Sequence, residues 1–69
     1  MIGQNLSIAA QLDLIERDLH VQRAIRDDSI ERSKRLSGFP AKWQRETAAM
    51  ADRAIERLEA RAAELRADR

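Results

Sequence analysis

Cysteine is absent from this chain, so neither a disulfide framework nor a thiolate zinc site holds it together. Its single histidine, His20, cannot build a His-rich metal site. No glycine-rich phosphate loop and no nucleophile motif is present. No apolar run approaches the ~20 residues needed to cross a bilayer. The opening "MIGQNLSIAAQLDLIERD" lacks the basic start and continuous apolar run of a signal peptide, so a cytoplasmic protein is expected. An excess of one charge is also missing. The net charge of +1 comes from interleaved signs, which predicts no general attraction to nucleic acid or anionic lipid. Proline occurs once, glycine twice, and phenylalanine and tryptophan once each.

What is present points to helices. Charged residues make up 36% and hydrophobic residues 43%, dominated by Ala, Leu, Ile, Glu, Arg and Asp, a mix typical of helical hairpins and coiled coils. The 69 residues bound the chain to a single domain, 1–69. A domain of this size buries only roughly 60% of its unfolded surface and is marginal alone. With disulfides and metals removed from the remedies, oligomerisation through long helices remains.

The punctuation predicts an all-α, two-helix antiparallel hairpin. Asn5 or Ser7 suits the cap of a first helix over about 5–37, which contains no glycine or proline. Gly38 suits the left-handed position after a helix end, and Pro40 the first turn of the next helix. The turn spans about 38–40 and the second helix about 40–67. Lys34 and Arg35 lie where cations complement the first helix's dipole.

At 100° per residue the first helix shows two apolar stripes, Ile8, Leu12, Ile15, Leu19 and Ile30, and Leu14, Val21, Ile25 and Leu36. A polar seam of Gln4, Gln11, Asp18, Gln22, Ser29 and Ser33 runs between them. The seam reads either as partly buried polar residues that fix register or as a groove for a partner. The second helix has one main stripe, Trp43, Thr47, Met50, Ala54, Leu58, Ala62 and Leu65, flanked by Ala48, Ala51 and Ile55. The first helix carries ten large aliphatics and the second far fewer. A hairpin uses one stripe of the first helix, and soluble monomers seldom leave a second exposed. The expectation is therefore a two-fold homodimer in a four-helix arrangement; the alternative covers are a different protein, or a neighbouring subunit if the chain is a structural subunit of a larger assembly. The dimer interface would draw on Ile8, Leu12, Leu14, Ile15, Val21 and Ile25.

Catalysis finds little support. Asp13 with Arg17, Asp28 with Arg32, and Glu31 with Arg35 are i,i+4 pairs that read as surface support. An acid–base pair needs a buried pocket, and His20 falls opposite the apolar stripes. No enzyme activity, metal or cofactor is expected. Arg53, Arg57 and Arg61 form a basic stripe, the alternative nucleic-acid contact. Neighbouring glutamates and the lack of interleaved aromatics weigh against it. The outline of the Rop family of small RNA-binding hairpin dimers is similar. Membrane association is not expected, because the polar faces are not lysine-rich.

The informative stretch is "SGFPAKW", Ser37 to Trp43, which gathers both aromatics beside the turn. Phe39 could pack on Trp43 as a staple that plugs the hairpin tip. Alternatively, Phe39 and Trp43 are exposed anchors for a partner, with Arg35 and Arg45 as orienting contacts. In size, in hairpin outline and in "GFPAKW", the chain resembles small phage-encoded inhibitors of host proteins, such as the anti-quorum-sensing proteins of phages that infect Pseudomonas. The resemblance implies a compact hairpin dimer that binds a heterologous host protein, such as a transcriptional activator or a pilus ATPase. It also implies that Phe39 and Trp43 carry the contact.

Overall fold

The computed structural model describes residues 6–68, so Gln4 and Asn5 lie outside the described residues. Two helices account for nearly all of it: α1, Ile8–Arg35, and α2, Gly38–Ala67. There is no strand among the described residues. Ser7 is the N-cap of α1, and its Oγ accepts from the Ala10 N–H at 3.1 Å, satisfying one orphan donor. Arg32, Lys34 and Arg35 occupy the last turn of α1. Leu36 and Ser37 are extended and form the whole connection, short enough to force an antiparallel return. Gly38 opens α2 at φ +65, where a side chain would be strained. Pro40 falls within the first turn, where its missing N–H leaves no bond unmade.

The helices, of 28 and 30 residues, form a single-layer rod of 47 × 26 × 13 Å. Its radius of gyration is 15.7 Å, against roughly 11 Å for a compact domain of this length. A flat rod encloses no sealed interior, and no large side chain is fully buried among the described residues.

The seam between the helices follows an alternating three-four spacing. In α1 the buried and half-buried positions include Ile8, Leu12, Ile15, Leu19, Gln22, Arg26, Ser29 and Ser33; in α2 they include Ala41, Gln44, Ala48, Ala51, Ile55, Leu58, Ala62 and Leu65. That average of about 3.5 residues is the left-handed coiled-coil repeat. It differs from the sequence expectation in α2, where Trp43 and Met50 were drawn into the stripe and are in fact exposed. The expected stripe advances by roughly 3.7 residues per step, so it coincides with the seam near Leu58 to Leu65 and drifts off it toward the turn. In α1 the same drift leaves Ile30 outside the seam.

Side-chain size varies along the seam. Away from the turn the seam positions hold large side chains, Leu12, Ile15 and Leu19 on α1 and Ile55, Leu58 and Leu65 on α2. Near the turn, small residues replace them. Arg26 reaches Asp52 across the helices at 3.5 Å, so Ser29 and Ala48, slightly nearer the turn, lie level. Both are buried, and small residues there let the backbones approach closely. The polar seam of α1 is thus largely an internal feature: Ser29 is buried, Gln11, Gln22 and Ser33 are half-buried, and among its described residues only Asp18 is exposed. No buried side-chain nitrogen or oxygen lacks a partner among the described residues.

Candidate functional site

The two long edges of the rod differ. One is bridged by ion pairs between the helices: Glu16–Arg66 at 3.2 Å, Arg23–Glu59 at 3.1 Å and Arg26–Asp52 at 3.5 Å. Hydrogen bonds from Arg26 to Asp27 and then Asp52 raise the arginine's pKa above its ordinary value, so it stays charged. The other edge is apolar. An open groove of about 570 Å³ runs along it, walled by Gln22 and Ile25 of α1 and by Trp43, Met50, Ala54 and Arg57 of α2. Leu14 and Val21 continue this face along α1 at helical spacing from Ile25, and all three are exposed.

The tip of the rod carries the most exposed aromatic. Phe39 is 78% exposed and Trp43 59% exposed, so the pair does not plug the hairpin tip; Ala41, between them, turns into the seam instead. The reason is steric. The seam near the turn is lined with serine and alanine at close approach, and an aromatic ring there would force the helices apart.

The structure brings together some of the expected site residues and separates others. Leu14, Val21, Ile25 and Trp43 share the apolar edge. Ile8, Leu12 and Ile15, expected in a dimer interface, are half-buried in the α1–α2 seam, because the three-four repeat directs them at α2. Arg45 is exposed, but it follows Trp43 by about 200° around α2 and stands off the opposite side. Arg35 is exposed at the end of α1 and reaches Glu31 at 3.4 Å. Arg53, Arg57 and Arg61 are exposed in line along α2; Arg61 pairs with Glu64 at 3.4 Å, while Arg53 and Arg57 have no ion pair among the described residues.

The i,i+4 pairs form as ordinary surface contacts, Asp13–Arg17 at 3.1 Å and Asp28–Arg32 at 3.0 Å. His20 is exposed. No cluster of three or more metal-ligating side chains occurs among the described residues, and no described helix is long and apolar enough to cross a membrane. Gln22 belongs to the polar seam for which a groove was one reading, whereas Met50 and Ala54 as groove walls were not foreseen. The signal for them is the repeat Ala41, Ala48, Ala51, Ile55, Ala62, Leu65, which fixes the inner face of α2 and so turns Met50 outward. In comparisons with protein families, curated proteins and solved structures, the chain matches none.

Proposed function

We propose that this hairpin is a protein-binding module, an inhibitor or regulator of the phage-encoded kind, acting in the cytoplasm on a host protein such as a transcriptional activator or an ATPase. It works by steric occlusion, without turnover or cofactor. The observation that carries this reading is the exposure of Phe39 and Trp43 at the end of a rigid helical rod, beside an apolar groove. Aromatic side chains in such positions dominate binding energy when a partner desolvates them. Arg35, on the tip, supplies an orienting charge; Arg45 points elsewhere and is not needed. A homodimer through the exposed stripe of α1, Leu14, Val21 and Ile25, belongs to the same reading, since it covers an apolar face that water would otherwise meet.

A second reading has one observation in its favour. Arg53 and Arg57 are exposed cations without ion-pair partners among the described residues, as phosphate contacts would be.

The test is capture from host lysate with wild type, Phe39→Ala and Arg53→Glu, each checked for helicity. A protein held by wild type and lost with Phe39→Ala, whose own DNA binding or ATPase activity falls as the hairpin is added, supports the proposal. Co-purifying nucleic acid, lost with Arg53→Glu and steeply with salt, would instead favour the second reading.

A further inference from the structure

The apolar edge carries two charges without ion-pair partners among the described residues, Asp18 on α1 and Arg57 on α2, whereas nearby Arg17, Arg32 and Arg61 are all paired. The sequence explains their isolation. At the helical neighbour positions of Asp18 stand Leu14, Ile15, Val21 and Gln22; at those of Arg57 stand Arg53, Ala54, Ala60 and Arg61. Neither helix offers its own charge a counterion.

We infer that a second copy of this chain covers the apolar edge, antiparallel across a two-fold axis, with Asp18 of each copy paired to Arg57 of the other. The inference rests on the homodimer proposed above and adds its seat and its register. Arg23 pairs with Glu59 and Arg26 with Asp52 across the helices, so Gln22 and Arg57 lie nearly level. Asp18 stands one turn before Gln22 on α1. A two-fold axis crossing α1 midway between them carries Asp18 of one copy to the level of Arg57 of the other, and the reverse. The same operation sets Leu14 of one copy beside Ile25 of the other. It also sets Leu6 of one copy near Trp43 of the other, because Trp43 lies beyond the Arg26–Asp52 contact toward the turn. One axis thus serves both the charges and the exposed apolar side chains, as an isologous interface requires.

In this arrangement Trp43 is no longer open to a host protein; it and Arg57 belong to the dimer. Phe39 stays outside it, and the antiparallel packing places the two Phe39 tips at opposite ends. The assembly then offers a foreign partner two separate sites.

The test combines sedimentation equilibrium with emission from the sole tryptophan, using wild type, Asp18→Arg, Arg57→Asp and the double reversal. Both positions are exposed, so helicity is unchanged in every variant. Expected is a wild-type dimer whose Trp43 emission shifts to the blue as it associates. Each single reversal raises the dissociation constant roughly tenfold, and the double reversal returns it to within about threefold of wild type. A dimer indifferent to both single reversals, or one in which Trp43 stays wet, overturns the seat while leaving the homodimer standing. A chain that remains monomeric at hundreds of micromolar overturns both. A monomeric chain whose Trp43 is shielded only by a captured host protein assigns the groove to that protein and also overturns the inference.

Discussion

Leu19 and Ile30 fall on one apolar stripe when α1 is read at 100° per residue, yet the hairpin leaves Leu19 only 2% exposed and Ile30 40% exposed. Truncation to alanine removes the same number of carbons from each, so the difference in cost isolates burial. At ~0.8 kcal/mol per buried methylene, the transfer term for Leu19→Ala is about 2.4 kcal/mol. A cavity term adds to it, but a single-layer seam is open at its edges and can collapse, which holds the total to about 2.5–3.5 kcal/mol. Ile30→Ala forfeits about six-tenths of the same transfer term and regains a few tenths from alanine's better helix propensity, for a net cost of about 1 kcal/mol. A chain of this length has a total stability of only ~3–10 kcal/mol, and each kcal/mol moves Tm by roughly 4–8 °C. Leu19→Ala is therefore expected to lower Tm by at least ~10 °C and Ile30→Ala by roughly 5 °C. Thermal and urea denaturation followed by far-ultraviolet circular dichroism measure both, at two protein concentrations so that any contribution from association is seen. Equal losses, or a larger loss for Ile30→Ala, would refute the three-four seam and restore the stripe drawn from helical period alone.

Three further outcomes are expected. Gly38→Ala costs about 1–2 kcal/mol from the left-handed backbone alone, since open space surrounds the position where its Cβ would stand; an unchanged urea midpoint would show that the turn adopts another conformation. Ala48→Leu overpacks the close part of the seam and costs about 1–3 kcal/mol, so a neutral result by the same assay would mean that the helices are not in close contact there. The Arg23–Glu59 pair is half-exposed on both sides; a double-mutant cycle is expected to give a coupling of only about 0.2–1 kcal/mol that fades with salt, and a coupling well above that would mean the ion-paired edge is shielded from water.

Much of the candidate site was legible as composition and not as arrangement. Phe39 and Trp43 stand out in a chain with no other aromatic, and Leu14, Val21 and Ile25 are recognisable as a second stripe. Their convergence with Met50 and Arg57 on one edge was not legible, because it depends on which face of α2 turns inward. Arg45 shows the same limit: two residues from Trp43 in the chain, it lies across the helix from it.

The sequence by itself determined the two helices and the bend between them. A long stretch without glycine or proline, a serine cap at Ser7, and Gly38 with Pro40 beyond it leave the backbone few other ways to satisfy its hydrogen bonds. Tertiary packing decided which faces meet. Two stripes of α1 and two sets of small or apolar residues on α2 were available to be buried. The choice fell on the alanine-rich repeat, because small side chains in a three-four spacing let two helices that wind gently around each other stay in contact over their whole length. Large residues gain area only where the seam has room for them. Trp43 and Met50 were thereby left outside, and the apolar edge they form with Ile25 is a consequence of that packing.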